Sequence, residues 1–287
     1  MKHWYKATAE FSQRGITRCA SGFSSLSPED AQLRAQEAAR ASVERAQDGN
    51  SAEYPYGVRP LAEPVLREWP RDDGSLSGLL SVNSRGCVVL NTAAVMFVDV
   101  DLPKPPKAAG GLLAGLFGRR KPAAPVADTT QPALEKLRAF VGAYPAWGFR
   151  VYRTAAGLRY LCTSALHDPA APESLAVLAE LGSDPLYLRL CEKQQTFRAR
   201  LTPKPWRVDQ RAYRHHYDPN NVARKNLPFA LAEADVPPQT AYEKEASKFA
   251  VCAFVEHVGA SSWHPEAQSL ATIHDQYTRP DSALPLA

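Results

Sequence analysis

The sequence predicts a mixed α/β (α+β) fold in which helices flank a small, mostly antiparallel sheet. Three observations support this: an apolar, β-branched segment ending at "MFVDVD", a segment with helical spacing after it, and then a hairpin-like pair of segments. The chain has 287 residues, of which 45% are hydrophobic and 22% charged, and no internal repeat is visible. This size and composition suit one large domain or two small ones.

The N-terminal part predicts a strand and two helices. The segment "HWYKATAEF" has the composition of a strand. A long, Ala-rich helix begins after Ser27, which can cap its first turn, and Gly49 follows its end. The segment "RPLAEPVLREWP", residues 59–70, predicts a short helix bounded by prolines.

Two carboxylates end the apolar segment "GCVVLNTAAVMFVDVD". Because side chains alternate along a strand, Asp99 and Asp101 share one face, with their Cα atoms roughly 6.5 Å apart. Both carboxylates can reach one hard cation at about 2.0–2.6 Å, and without a cation they repel each other. The spacing alone leaves open the alternative of two solvated carboxylates at a strand end.

Residues 102–131 are dense in Pro, Gly and Ala, which is the composition of a flexible insertion. The centre of this insertion, "LLAGLFGRRK", combines a small apolar cluster with three basic residues. Such a segment can contact a protein partner or a membrane surface. A plain flexible loop is the alternative.

A helix and a hairpin are predicted next. Residues 131–148, "QPALEKLRAFVGAYPAWG", carry apolar side chains at helical spacing, and "FRVYRT" and "LRYLCTS" then flank a turn of small residues. A small residue such as Gly157 lets a phosphate approach the turn after Thr154, and Arg159 can hold that phosphate. The alternative is an ordinary hairpin with a surface arginine.

The strongest basic concentration is the segment "FRARLTPKPWR", residues 197–207. Phosphates can bind its cations, and bases can stack on its aromatic rings. A solvated strand edge, blunted by charges and prolines, is the alternative. The candidate phosphate-binding residues are Arg198, Arg200, Lys204 and Arg207, interleaved with Phe197 and Trp206.

The C-terminal part predicts helices. Residues 239–259, "QTAYEKEASKFAVCAFVEHVG", have the pattern of an amphipathic helix. Histidines in this part can suggest a metal site, but their loose spacing favours surface or helix-end positions. They are His257, His264 and the pair formed by His274 and Asp275.

Several function classes lack their usual sequence support. The chain has neither the phosphate-binding G-x-x-x-x-G-K-[ST] pattern nor the G-x-S-x-G nucleophile elbow. Its five cysteines never have C-x-x-C spacing, which indicates neither a disulfide framework nor a zinc knuckle. No apolar signal region or transmembrane segment is visible, so we expect a cytoplasmic protein. The net charge of +4 permits a polyanionic partner.

Together, "VMFVDVD", "PALEKLRAFV" and "FRVYRTAAGLRYL" resemble the core of the archaeo-eukaryotic primase superfamily, especially its bacterial primase-polymerase branch. The resemblance covers about residues 86–165 and extends more loosely to about 210. Asp99 and Asp101 match the hydrophobic-Asp-hydrophobic-Asp motif, and Thr154 with Gly157 match the turn that precedes the family's nucleotide-contacting histidine. Arg159 stands at the position of that histidine. The family's third metal-binding acid has no clean match, and Asp209 and Asp184 are its candidates here.

The resemblance implies an RRM-like sheet in a core at residues 86–235, after an N-terminal α/β module at residues 1–85 and before a helical segment at residues 236–287. It implies that Mg²⁺ or Mn²⁺ binds to Asp99, Asp101 and Asp209, and that Arg159 acts on a nucleoside triphosphate. The implied activity is nucleotidyl transfer on DNA or RNA, in replication or repair. Two alternatives are a catalytically inactive accessory protein that binds nucleic acid or a nucleotide, and a metal-dependent nuclease.

Overall fold

A computed structural model describes residues 4–47, 61–83, 85–103, 130–208 and 241–287. The chain folds into helices and antiparallel sheets, so the predicted mixed α/β class is confirmed. The predicted insertion lies almost wholly outside the described residues, as does Asp209. None of the described helices has the length and apolar character that crossing a bilayer requires.

The first unit is a hairpin covered by one long helix. Strands β1 (Tyr5–Gln13) and β2 (Ile16–Ser24) pair antiparallel, and helix α1 (Pro28–Gln47) packs on them. The buried side chains of α1 recur every four residues and are small, which lets the helix approach the strands closely. They are Ala31, Ala35, Ala39 and Val43.

A second sheet has the strand order β3-β4-β5-β9. Its strands are β3 (Val65–Pro70), β4 (Leu76–Val82), β5 (Val88–Thr92) and β9 (Phe197–Arg200). The helix predicted over residues 59–70 is wrong, because its described part contains strand β3 instead. Pro64 and Pro70 leave too short a segment between them to nucleate a helix, whereas pairing of β3 with β4 satisfies the backbone at a sheet edge, where proline is tolerated.

The central sheet has the order β10-β7-β8-β6, with every neighbouring pair antiparallel. Its RRM-like character stays a prediction. The strands are β6 (Phe97–Asp101), β7 (Gly148–Thr154), β8 (Gly157–Cys162) and β10 (Cys252–Gly259). The helices between and after them are α2 (Gln131–Ala143), α3 (Pro172–Glu180), α4 (Pro185–Gln194), α5 (Pro205–Val208), α6 (Ala241–Ala246) and α7 (Pro265–Thr278).

Strand β10 replaces most of a predicted helix. The amphipathic helix expected over residues 239–259 is confirmed only over Ala241–Ala246, and Cys252–Gly259 pairs with β7. The local sequence, an apolar run with β-branched and aromatic residues, is compatible with a helix and with a strand. The unpaired backbone groups of β7 favour the strand, because buried N–H and C=O groups require partners.

The two faces of the central sheet have different covers. Helix α2 packs on one face, where the ring centroids of Phe140 and Phe149 lie 6.2 Å apart and the Tyr160 hydroxyl donates to the Ala133 carbonyl. Helix α7 covers the opposite face through His274. The second face is the one that Asp99 shares, so that carboxylate meets a packed helix as well as solvent.

Replacing Gly157 with alanine is expected to destabilise the chain by roughly 2–3 kcal/mol. A Cβ at this position would lie 1.9 Å from the carbonyl oxygen of Val100 in the neighbouring strand β6. Strand β6 would therefore have to move. Urea denaturation of wild type and Gly157→Ala measures the difference in the free energy of unfolding.

Gly142→Ala is the matched control. Gly142 lies in helix α2, and a Cβ there would meet no atom within 4 Å. The change should be neutral or stabilising by up to about 1 kcal/mol, because alanine favours helix more than glycine does. Equal effects of the two substitutions would contradict the close approach of β8 to β6.

Candidate functional site

The two predicted acids lie at the carboxyl end of edge strand β6. Asp99 pairs in register with Arg159 of β8, and Asp101 pairs with Gly157. Because β6 is a regular strand, both carboxylates point to the same face of the sheet. The Asp99 side chain is 37% exposed, and Asp101 is exposed.

Asp99 is paired with a buried guanidinium. Nε of Arg159 donates to Oδ1 of Asp99 at 2.8 Å, and Nη2 donates to Oδ2 at 3.3 Å. The Arg159 side chain is only 3% exposed. Its remaining nitrogen, Nη1, donates to the carbonyl oxygen of Arg200 at 3.0 Å and lies 3.3 Å from Nε2 of His274. All three nitrogens of the guanidinium therefore have protein partners.

The charge on Arg159 is stabilised despite its burial. Burial alone acts to lower the pKa of the guanidinium, but the charge of Asp99 and its hydrogen bonds outweigh burial, so the pKa is raised. Arginine is already protonated at any physiological pH. The pair is thus a fixed, two-point ionic contact between neighbouring strands.

His274 continues the network as a neutral ring. It is wholly buried, and burial lowers the pKa of its imidazole. Arg159 can only donate, so Nε2 of His274 accepts, and Nδ1 carries the proton that it donates to Oδ1 of Asp275 at 2.9 Å. The imidazole centroid lies 5.4 Å from that of Phe97 and 4.7 Å from that of Tyr152.

Asp275 connects this network to strand β7. Its carboxylate accepts from the Tyr152 hydroxyl at 2.7 Å and from Nη2 of Arg150 at 2.9 Å. Burial acts to raise the pKa of Asp275, but hydrogen bonds from His274 and Tyr152 outweigh it and the pKa is lowered. The Arg150 guanidinium then lies 4.1 Å from the ring centroid of Phe254 in strand β10. The polar network crosses the whole width of the sheet.

The other histidines of the loose C-terminal group lie elsewhere. Nε2 of His257 is 3.2 Å from the Thr163 hydroxyl, and Nδ1 of His264 accepts from the Glu266 N–H at the start of α7. Within the part of the chain that the structure describes, no group of three or more His, Cys, Asp or Glu side chains is placed to hold a metal ion.

The polar atoms of the turn between β7 and β8 form hydrogen bonds within the turn. The Thr154 hydroxyl accepts from the N–H groups of Gly157 at 3.0 Å and of Ala156 at 3.4 Å. Strand β6 lies so close to Gly157 that a side chain at this position would collide with the carbonyl oxygen of Val100. Thr154 and Gly157, the two residues that match the primase turn, therefore both have structural roles in the hairpin.

Strand β9 divides the basic segment into paired and unpaired cations. Phe197 is fully buried, so its ring cannot stack on a base. Arg198 donates from Nη2 to both carboxylate oxygens of Glu63, at 2.7 and 2.6 Å. Arg200, two residues further along, is half-buried, and its guanidinium has no hydrogen-bond or ion-pair partner among the described residues.

The cations around Arg200 form a cluster, defined here as Arg200, Lys204 and Arg207. Burial lowers the pKa of Arg200; Cys87 and Asp99 oppose this shift, and Arg159 and Arg207 add to it. Burial also lowers the pKa of Lys204, and the positive charges of Arg200 and Arg207 lower it further. Burial is thus the main cause of both shifts, and the neighbouring positive charges act in the same direction.

An aromatic ring borders this basic cluster. The guanidinium carbon of Arg85 lies 4.9 Å from the ring centroid of Trp206, and Nζ of Lys204 lies 5.7 Å from it. Trp206 is half-buried at the start of the short helix α5. Cation–π contacts of this kind hold the basic side chains near the ring.

The described residues do not complete the predicted metal site. Asp184 approaches β6 through its backbone N–H, which donates to the Asp99 carbonyl at 3.2 Å. Its carboxylate instead accepts from the Leu186 N–H and caps helix α4. Asp209 lies outside the described residues, so the ligand set of Asp99, Asp101 and Asp209 stays a prediction.

Comparison with known proteins found no matching family model, no matching curated protein and no matching solved structure. The resemblance to the primase superfamily therefore rests on the short motifs alone. Two charge features define the site: Asp99 is paired with the guanidinium of Arg159, and the cations of the basic cluster lie close enough to lower the pKa of Lys204.

Asp99→Ala is expected to destabilise the chain by about 3 kcal/mol or more, because it leaves the buried charge of Arg159 without its partner. Asp101→Ala, two residues further along the same face, is the control and should change stability by less than about 0.5 kcal/mol because Asp101 is exposed. Thermal or urea unfolding of both variants measures the difference. Small and equal effects of the two substitutions would mean that the buried charge of Arg159 is not stabilised by Asp99.

Proposed function

We propose that this chain binds the phosphates of a nucleic acid or of a nucleotide and acts as an accessory protein of the primase-polymerase type without catalysis of its own. One observation carries the proposal: the Arg200 guanidinium, with no partner among the described residues, lies beside Lys204 and Arg207. A cytoplasmic location, and a protein partner at residues 102–131, fit such a role as further predictions.

The charge arrangement supports an anionic ligand. Desolvating several cations in one place is unfavourable, and an anion that binds among them relieves their mutual repulsion. A guanidinium presents paired N–H donors that match two phosphate oxygens, and an ammonium supplies a further point charge. A phosphate is therefore the ligand that the basic cluster fits best.

The pairing of Asp99 supports the absence of catalysis. Nucleotidyl transfer of the primase type uses carboxylates that hold divalent metals. Here Arg159 occupies both oxygens of Asp99, and the described residues offer no third acid. A metal ion at Asp99 would therefore share this carboxylate with the buried guanidinium of Arg159, which weakens the attraction between the carboxylate and the metal.

Arg200→Gln is expected to weaken binding of single-stranded oligonucleotides or of nucleoside triphosphates by roughly tenfold or more, which corresponds to one lost charged phosphate contact. Fluorescence anisotropy at several salt concentrations measures it. If a polymer is bound, the logarithm of its affinity should fall linearly with the logarithm of the salt concentration, and the slope should be smaller in the variant.

Arg189→Gln provides the matched control, because Arg189 is an exposed arginine of helix α4. Its replacement removes the same formal charge and should leave the affinity nearly unchanged. Equal losses in both variants would show that only the overall charge matters, which would contradict a site at Arg200.

Metal-dependent nucleotidyl transfer is the second candidate function. It is favoured by the exposure of Asp101 and by the 37% exposure of the Asp99 side chain on the same face, which leaves both carboxylates within reach of solvent ions. The same carboxylates would serve a metal-dependent nuclease.

Incorporation of labelled nucleoside triphosphates on a primed template, with Mg²⁺ or Mn²⁺, separates these functions. We expect no extension by folded wild type. Extension that is lost in Asp99→Asn/Asp101→Asn would contradict the accessory role and establish the transferase. Primer shortening that is lost in the same double variant would indicate the nuclease.

A further inference from the structure

We propose that Arg159 is a permanent counter-cation of Asp99, so that phosphate binds at the neighbouring basic cluster without a divalent metal. The inference rests on the proposed function for its ligand, a phosphate group that belongs either to a nucleoside triphosphate or to a nucleic-acid strand. It goes beyond that function because it assigns to a side chain of this chain the charge-balancing role that a divalent metal has in metal-dependent nucleotidyl transfer.

The first step is the charge at the end of β6. Two carboxylates on one strand face repel each other unless a cation lies near them. Arg159 supplies that cation from the directly opposite position of β8, with two nitrogens on the two oxygens of Asp99. Cross-strand pairing thus places a fixed positive charge where a bound metal would otherwise balance the acids.

The second step is that the guanidinium is held from its other side as well. Nη1 of Arg159 donates to the Arg200 carbonyl and to Nε2 of His274. Asp275 orients the His274 ring through Nδ1. Moving an arginine with this number of fixed partners and 3% exposure would break all of these contacts at once, which is unfavourable for a buried charge.

The third step is the sign of the net charge around Asp99 and Asp101. Two carboxylates, Asp99 and Asp101, interact electrostatically with four cations, which are Arg159 and the three members of the basic cluster. A divalent cation would enter a region that is already positive, whereas a phosphate would meet two donors that lack a carboxylate partner among the described residues. The same charges therefore exclude a metal and attract a phosphate.

Arg159 also positions the phosphate site. Its hydrogen bond to the Arg200 carbonyl fixes the backbone from which the Arg200 guanidinium extends. Arg159 itself does not contact the ligand, since its side chain is only 3% exposed and its nitrogens bond Asp99, His274 and the Arg200 carbonyl. It acts through Arg200 and is a positioning residue.

The first measurement compares ATP binding and oligonucleotide binding by wild type in EDTA and in Mg²⁺. The expected result is that neither ligand loses affinity in EDTA. A loss of about tenfold or more when the metal is removed would overturn the proposal. If neither ligand binds in either condition, the proposed function itself fails, and the next measurement still tests Arg159.

The second measurement titrates Mn²⁺ alone and follows free Mn²⁺ by electron paramagnetic resonance. We expect wild type and Asp99→Asn to bind Mn²⁺ equally weakly. Arg159→Gln should gain affinity of about tenfold, and Arg159→Gln/Asp99→Asn should lose that gain. Arg153→Gln, which removes an arginine of strand β7 whose guanidinium donates to the Gly157 carbonyl, should resemble wild type.

Mn²⁺ binding by wild type that disappears in Asp99→Asn would overturn the proposal, because it would mean that a metal reaches Asp99 despite Arg159. An unchanged Mn²⁺ affinity in folded Arg159→Gln would also overturn it. If Arg159→Gln does not fold, the comparison of wild type with Asp99→Asn still decides the outcome.

Discussion

The buried guanidinium of Arg159 is the interaction on which this side of the central sheet depends. It joins Asp99 of β6, the backbone of β9 and His274 of α7, which are far apart in the chain. A buried charge is costly unless every donor has an acceptor, so these elements must meet in one arrangement to satisfy it. The ion pair is thus a constraint on how the two sheets and the last helix fit together.

The described cations near this ion pair fall into two groups. Arg150, Arg159 and Arg198 each have a carboxylate, at Asp275, Asp99 and Glu63. Arg200 and Lys204 have no such partner among the described residues, although both are partly buried. Paired cations stabilise the fold, and the cations without a carboxylate partner among the described residues are those to which we assign the proposed anionic ligand. The functional interpretation follows from this division more than from the total number of basic residues.

The elements that follow one clear local pattern could be predicted from the sequence. Helix α1, strand β6 and the hairpin of β7 and β8 are of this kind. Strands β3 and β10 could not, because their apolar segments fit a helix as well as a strand until a partner strand is present. The pairing of Arg159 with His274 joins positions 115 residues apart, which no local spacing reveals.

The "DVD" segment illustrates why a motif alone does not define a metal site. Alternation in the strand requires only that Asp99 and Asp101 share a face, and a nearby cation then lowers the repulsion between their carboxylates. The residue across the strand determines which cation that is. A neutral imidazole at position 159 would leave Asp99 without a charged partner and open to a metal, whereas an arginine supplies the charge directly. One cross-strand neighbour thus changes the chemistry that the same two acids can perform.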